Sequence, residues 1–122
     1  MTDRIIDDTP EIWGTDYSTD SATVERGYDT FAETGSYDET FDDWGYVGPE
    51  TAAAILRNYV PRDSRILDAA CGSGLTGIAL RNLGYEHIEG IDISAGLLAL
   101  AEQTGAYERL ERVDMQALPL PF

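Results

Sequence analysis

The sequence predicts an α/β domain with a Rossmann-like, doubly wound parallel sheet. Short apolar runs alternate with segments of helical periodicity from residue 48 onward, which is the pattern of parallel strands joined by right-handed crossovers. A glycine-bearing stretch, residues 69–74, follows the first apolar run, and aspartates end the first two runs at Asp68 and Asp92. The predicted strand order is 3-2-1, with the sheet ending after its third strand and a helical lid on its N-terminal side.

The elements are predicted in the order helix and then βαβαβ. Pro49 suits the first turn of a helix, and Pro61 ends that helix. The predicted strands cover residues 65–68, 88–93 and 110–115, and the helices between them cover residues 75–83 and 95–103. Ser94 is a favourable N-cap for the last helix, while Gly84 and Gly105 supply left-handed stops after the two helices.

The composition restricts the classes of partner. The 122-residue chain carries 23 acidic residues against 8 arginines and no lysine, for a formal net charge of -15. This charge disfavours nucleic acid and anionic membrane surfaces as partners. No apolar run approaches the roughly 18 residues of a membrane span, and the N-terminus lacks the pattern of a secretory signal. We therefore expect a cytoplasmic protein without a membrane partner.

The charge also divides the chain into regions. Residues 1–50 hold 14 of the acids and 2 of the arginines, with few aliphatic residues. This composition predicts an acidic, flexible leader over residues 1–25. Aromatic residues that include Tyr37 and Trp44 predict a lid segment over residues 26–48, because such side chains bury large areas when they dock. The domain itself is expected over residues 49–122.

The glycine-bearing loop is the first place to expect a ligand, because ligands of doubly wound sheets bind beyond the carboxyl ends of the strands. Gly72 and Gly74 allow a sharp turn and close approach of a ligand, although an ordinary turn between a strand and a helix uses glycine as well. Asp92 follows Gly72 by 20 residues, the spacing of an acid that accepts hydrogen bonds from a ribose. The alternative for Asp92 is helix capping, a role that Ser94 already fills.

The identity of the nucleoside is decided by charge. Residues 72–77 spell G-x-G-x-x-G, the dinucleotide fingerprint, so an NAD(P)-binding oxidoreductase fragment is an alternative. The negative charge of Asp68, four residues before Gly72, disfavours the binding of a pyrophosphate. S-Adenosylmethionine fits better because it combines a ribose and an adenine with an ammonium and a sulfonium group and has no phosphate. No metal ligand is predicted.

Three stretches resemble a known family. Residues 67–74, Leu-Asp-Ala-Ala-Cys-Gly-Ser-Gly, resemble the acidic-x-Gly-x-Gly-x-Gly loop of class I S-adenosylmethionine-dependent methyltransferases, with Ala70 in place of one glycine. Residues 90–94 resemble their acidic loop after strand two. Residues 113–119 resemble the stretch whose aspartate receives the adenine amino group.

Two stretches in and next to the predicted lid, residues 28–38 and 44–49, are also similar to the Williams-Beuren syndrome region 27-like branch of this family. The resemblance covers about residues 26–122, the N-terminal portion of such a domain. It implies contacts with the methionine part (Asp68, Ala70, Gly72, Gly74), the ribose (Asp92), the adenine face (Ile93) and the adenine edge (Asp114, Met115). An alanine at position 70 is expected to need a negative φ.

The resemblance implies that a substrate nucleophile attacks the sulfonium methyl directly, so no catalytic protein residue is predicted. The acceptor is unidentified, and a small molecule is favoured over nucleic acid. A non-catalytic fragment that keeps the fold is a further alternative. Because family members continue with strands that cover strand one and build the acceptor pocket, this chain alone is expected to bind the cofactor weakly or not at all. Its exposed strand edge is expected to cause partial unfolding or self-association.

Overall fold

The computed structural model describes residues 19–34, 45 and 47–120. In order, these residues form α1 (Ser21–Glu33), α2 (Gly48–Leu56), β1 (Arg65–Ala69), α3 (Leu75–Asn82), β2 (His87–Asp92), α4 (Ala95–Gln103) and β3 (Arg109–Arg112). The predicted α/β class and element order are confirmed. No helix in this part of the chain is long and apolar enough to cross a membrane.

The strands form a parallel sheet in the order β1-β2-β3, which confirms the predicted order 3-2-1. The register places Asp68 opposite Gly90 and Asp92 opposite Arg112. Asp92 therefore stands two residues closer to the carboxyl edge of the sheet than Asp68, which is about 7 Å along the strand direction. Because of this difference in height, the two carboxylates have different neighbours.

The apolar core lies between the sheet and helices α2 and α3. Its buried members include Ala53 of α2, Leu80 of α3 and Ile88 of β2, together with Tyr85. The Tyr85 hydroxyl donates a hydrogen bond to the Val60 carbonyl oxygen at 2.6 Å, so the buried ring keeps its polar atom paired. This core fixes β1 and β2 against the helices and leaves the carboxyl edge of the sheet open.

Strand β1 is the edge of the described sheet, because it pairs with β2 alone. Leu67, in the middle of β1, is 43% exposed. An exposed apolar residue on an edge strand is unusual in a parallel sheet, where both faces are normally covered.

The strand and helix bounds of residues 65–103 agree with the predicted ones within one residue. Strand β3 differs, because it ends at Arg112 instead of residue 115. The Val113 N–H donates to the Asp92 carbonyl oxygen at 2.9 Å, and the chain then turns so that the Ala117 N–H donates to the Asp114 carbonyl oxygen at 3.0 Å. Residues 113–117 therefore form a turn at the end of the sheet instead of a longer strand.

Helix α1 begins five residues before the predicted start of the lid at residue 26. Its N-cap is Asp20, whose carboxylate accepts the Thr23 N–H at 2.8 Å, and this bond holds the pKa of Asp20 below its ordinary value. Residues 21–25, predicted as part of the flexible leader, belong to the helix because of this cap. Residues 1–18 and the predicted lid aromatics Tyr37 and Trp44 lie outside the described residues.

Candidate functional site

A cavity of about 250 Å³ lies at the carboxyl edge of the sheet. One wall consists of residues that end or directly follow the three strands. They are Ala70 after β1, Asp92 and Ile93 at the end of β2, and Val113, Asp114 and Met115 after β3. The cavity is therefore located where ligands of doubly wound sheets bind.

Asp92 is the buried charged group of this wall, with 7% of its surface exposed. One carboxylate oxygen accepts the Gly72 N–H at 2.9 Å, and the other accepts the Ser94 N–H at 3.0 Å. Two main-chain donors thus fix the carboxylate plane and offset the cost of burying its charge. Each oxygen can still accept a second hydrogen bond, so the group can receive two neighbouring hydroxyls.

The β3 side of the wall combines apolar surface with a second carboxylate. The Asp114 side chain accepts the Gln116 N–H at 2.9 Å, which orients it within the turn after β3. Met115 is 40% exposed and, together with Val113 and Ile93, gives the cavity apolar surface. This mixture of apolar walls and a few oriented acceptors is typical of a small-molecule site.

Helix α1 forms the opposite wall, to which it contributes Ser21, Val24 and Tyr28. Burial raises the pKa of the Tyr28 hydroxyl, and the nearby Asp92 charge raises it further. The Tyr28 phenol is therefore neutral near pH 7 and can donate a hydrogen bond. Tyr28 lies in a segment that sequence analysis assigned to the lid, whereas Ser21 and Val24 lie before the predicted lid boundary and were missed.

Ala70 has a φ of +59°, so the expectation of a negative φ is wrong. The left-handed conformation costs a residue with a Cβ about 1–2 kcal/mol. The loop requires it because the chain must turn out of the sheet at this point. Directly afterwards, the Cys71 N–H donates to the Ile91 carbonyl oxygen at 2.9 Å, and the Gly72 N–H reaches Asp92.

Asp68 does not line the cavity. One of its oxygens accepts the Tyr107 hydroxyl at 2.7 Å, and the same hydroxyl accepts the Gly77 N–H at 3.1 Å. Burial raises the pKa of the Asp68 carboxyl, and the Tyr107 hydrogen bond opposes that rise. Asp68 therefore takes part in a tie between β1 and the first turn of α3.

The Tyr107 ring occupies a slot that glycines leave open. A Cβ at Gly77 would lie 2.4 Å from the ring, and a Cβ at Gly90 would lie 2.9 Å from it. Gly74, the N-cap of α3, has a φ of +100° and makes no side-chain cap, so the Tyr107 hydroxyl satisfies a first-turn N–H that the cap leaves free. This role of Tyr107 could not be predicted from the sequence, because its hydrogen-bond partners Gly77 and Asp68 are 30 and 39 residues away.

Five of the eight predicted cofactor-binding residues line the cavity, namely Ala70, Asp92, Ile93, Asp114 and Met115. Gly72 and Gly74 are buried and do not line the cavity, and their positive φ angles shape the loop. The predicted contacts of all eight residues with a cofactor stay predictions, including those of Asp68, Ala70, Gly72 and Gly74 with its methionine part.

Comparisons with known proteins agree with this geometry. A family model described as a methyltransferase domain matches residues 66–122. The human methyltransferase-like protein 27 is 35% identical over 97 residues, which cover 77% of this chain and 39% of that protein. A Streptomyces fradiae dTDP-3-amino-3,6-dideoxy-alpha-D-glucopyranose N,N-dimethyltransferase is 36% identical over 70 residues, which cover 56% of this chain and 26% of that protein.

Among solved structures, the crystal structure of a TehB-like SAM-dependent methyltransferase from Corynebacterium glutamicum superposes with a TM-score of 0.58 at 25% identity. The match covers 74% of this chain and 50% of that one. The matched residues form part of a class I S-adenosylmethionine-dependent methyltransferase domain. The chain spans half or less of the length of these relatives.

The loop of this methyltransferase domain does not support the dinucleotide alternative. Two N–H groups of the G-x-G-x-x-G stretch, those of Gly72 and Gly77, donate to Asp92 and to Tyr107. A third, that of Gly74, donates to the Cys71 carbonyl oxygen at 3.1 Å. Three N–H groups of this stretch are therefore already paired with protein acceptors, which leaves fewer of them to hold a pyrophosphate.

Cys71 is buried, with 7% of its surface exposed. Burial and the charges of Asp68 and Asp92 raise the pKa of its thiol to about 12. A thiol that stays protonated at neutral pH is a poor nucleophile. Within the described ranges, no three His, Cys, Asp or Glu side chains gather in a way that could hold a metal ion.

Proposed function

We propose that the cavity binds the nucleoside part of S-adenosylmethionine and that the chain serves methyl transfer to a small-molecule acceptor. The observation that carries this proposal is the Asp92 carboxylate, which is buried and held by two main-chain N–H groups in the wall of a cavity with apolar surfaces.

The residues present fit a ribose and an adenine. Asp92 has free acceptor positions for two vicinal hydroxyls, and Ile93 and Met115 offer apolar surface for a flat base. Asp114 can accept from an exocyclic amino group. The cavity of about 250 Å³ is just below the usual range of about 300–1,000 Å³ for ligand pockets. Its size supports a site for the nucleoside, with the methionine part extending past Ala70.

S-Adenosylmethionine supplies an electrophilic sulfonium methyl when it is bound. The residues of this chain bind and orient the nucleoside, and α1 excludes water on one side of it, so their contribution is alignment and desolvation. Among the described cavity residues, the two carboxylates are committed to binding and Tyr28 is neutral, which leaves no general base. This arrangement supports an acceptor that is already nucleophilic or is activated elsewhere.

The small-molecule acceptor is supported by the dTDP-amino-sugar N,N-dimethyltransferase among the relatives and by the formal net charge of -15, which disfavours nucleic acid. A cytoplasmic location and self-association through β1 stay predictions.

The test is a titration of the whole 122-residue chain followed by amide chemical shifts, because this readout detects weak binding as well as tight binding. S-Adenosylmethionine and S-adenosylhomocysteine are expected to shift the amides of Gly72, Ile93 and Ser94, whereas NAD is expected to bind more weakly because the acidic site disfavours its pyrophosphate. Shifts with NAD alone, or with none of the three ligands, would refute the proposal. The dissociation constant also decides whether the chain alone binds weakly, as the sequence predicts.

A further inference from the structure

Helix α1 meets the N-terminus of α4 through one carboxylate, that of Asp29. Its Oδ1 atom accepts the Ser94 hydroxyl at 2.5 Å and the Gly96 N–H at 2.9 Å. Gly96 allows this approach, because a Cβ there would lie 3.1 Å from the Ala32 Cβ and 3.2 Å from the Asp29 oxygen. Asp29 therefore acts as a second cap of α4, supplied by a helix 65 residues earlier in the chain.

Ser94 connects this cap to the floor of the cavity. Its side chain is fully buried. Its Oγ accepts the Leu97 N–H at 3.1 Å, and its hydroxyl donates a hydrogen bond to Asp29. The main-chain N–H of the same residue donates to Asp92 at 3.0 Å. A continuous path of hydrogen bonds thus runs from α1 through Ser94 to the carboxylate of Asp92.

The other polar ties of α1 are weaker anchors. Glu25 pairs with Arg112, and the Ser21 hydroxyl donates to the Gln116 side chain at 3.0 Å, but both contacts are exposed. Exposed ion pairs contribute little to stability. The bonds to Asp29 are partly buried and have a charged acceptor, which makes them about twice as strong as neutral ones.

The cavity depends on this anchor, because the same helix contributes Val24 and Tyr28 to the wall that faces Asp92. We propose that Asp29 is a positioning residue that couples the docking of α1 to nucleoside binding at Asp92. Asp29 holds the α1 wall in place and fixes Ser94, which in turn orients the ribose-binding carboxylate. The inference rests on the proposed function, and reciprocity requires that a bound nucleoside stabilise the docked helix.

The test compares D29A and D29N with the matched control E33A in the whole chain. Glu33 lies on the same helix and is exposed, so E33A removes the same charge without touching α4. Native-state hydrogen exchange of the α1 and α3 amides reports docking and core stability separately. The dissociation constant of S-adenosylhomocysteine reports the coupling and is measured well below the melting temperature.

We expect D29A to speed exchange in α1 and to raise the dissociation constant, each by at least about tenfold, while α3 exchanges at the wild-type rate. D29N should fall between D29A and wild type, because both hydrogen bonds end on one oxygen that asparagine retains. E33A should match wild type. Saturating S-adenosylhomocysteine should slow α1 exchange in the wild-type chain more than in D29A.

A D29A chain with faster α1 exchange and a wild-type dissociation constant would overturn the inference, since Asp29 would then serve docking alone. If D29A also speeds exchange in α3, the affinity of D29N is the deciding measurement. A D29N affinity equal to that of E33A would overturn the coupling. Failure of the wild-type chain to bind S-adenosylhomocysteine would instead refute the proposed function together with the inference.

Discussion

Asp92 and Asp68 end neighbouring strands of one sheet, and their carboxylates have different surroundings. Asp92 receives two main-chain N–H groups and lines the cavity. Asp68, two residues deeper in the register, receives the hydroxyl of Tyr107 and lies outside the cavity. Main-chain donors fix the Asp92 carboxylate while leaving acceptor positions for a ligand, whereas the Tyr107 side chain ties Asp68 to α3. The two acids occupy equivalent positions in the sequence pattern. Their surroundings differ because they stand at different heights in the sheet and receive different hydrogen-bond donors.

The largest expected effect is that of D92N, which should lower the affinity for S-adenosylhomocysteine about 100-fold or more. The substitution weakens two hydrogen bonds from the ribose to a charged acceptor, each worth about 1.5–3 kcal/mol. It also sets an amide NH₂ group against either the Gly72 or the Ser94 N–H, so the fold should lose stability. The amide-shift titration measures the affinity, and urea unfolding measures the stability.

The matched control for D92N is E102Q, because Glu102 is an exposed acid on α4 and its replacement makes the same change of charge. E102Q should bind S-adenosylhomocysteine like the wild-type chain. Equal affinities of D92N and E102Q would show that Asp92 does not receive the ribose.

Sequence patterns predict the features of this fold that depend on neighbouring residues, and they do not predict those that depend on contacts between distant residues. The order of elements, the bounds of α4 and the placement of Asp92 follow from local signals such as apolar periodicity, the Ser94 cap and loop spacing. The role of Tyr107 does not, because its hydroxyl joins residues that are 30 and 39 positions away. The docking of α1 through Asp29 depends in the same way on contacts with Ser94 and Gly96 that have no local signature.

The positive φ of Ala70 has a related cause. The residue type argues against a left-handed conformation, but hydrogen bonds of the following residues to β2 impose it. Local preference is thus overridden by the pairing of the loop with a strand that lies 20 residues further along the chain.

The next largest effect is expected for Y107F, which should destabilise the fold by about 1–3 kcal/mol. It leaves the partly buried Asp68 oxygen without its donor and the Gly77 N–H without its acceptor, and polar groups that lose their partners away from water cost about this much. Urea unfolding at pH 7 measures the loss. The affinity for adenosine should stay within about twofold of wild type, because none of these groups lines the cavity.

Y59F is the control for Y107F, since it removes the same hydroxyl from a side chain that is 81% exposed. It should change the stability by less than about 0.5 kcal/mol. An adenosine affinity that falls in Y107F as far as in D92N would contradict the separation between the two acids.

A smaller and opposite effect is expected for A70G, which should stabilise the fold by about 1 kcal/mol. Glycine adopts the left-handed conformation at position 70 without the cost that a Cβ imposes. The control is A69G, one residue earlier within β1, where glycine should destabilise by about 0.5–1 kcal/mol because of its greater freedom in the unfolded chain. Destabilisation by both substitutions in urea unfolding would contradict the strained loop at Ala70.

The subtlest effect is a change in pH dependence, expected for D68N. Burial raises the pKa of Asp68 above its ordinary value of 3.8, so the folded state favours the protonated carboxyl. The protonated Asp68 carboxyl contributes fully to the free energy of unfolding below pH 3.8, and this contribution is lost as the pH rises through the folded-state pKa. Asparagine stays neutral and still accepts the Tyr107 hydroxyl, so the stability of D68N relative to wild type should increase across this window.

Urea unfolding at a series of pH values from 3 to 7 measures this difference. A difference that is constant with pH, or that shrinks as the pH rises, would show that Asp68 is charged in the fold as readily as in the unfolded chain, and it would contradict the raised pKa of Asp68.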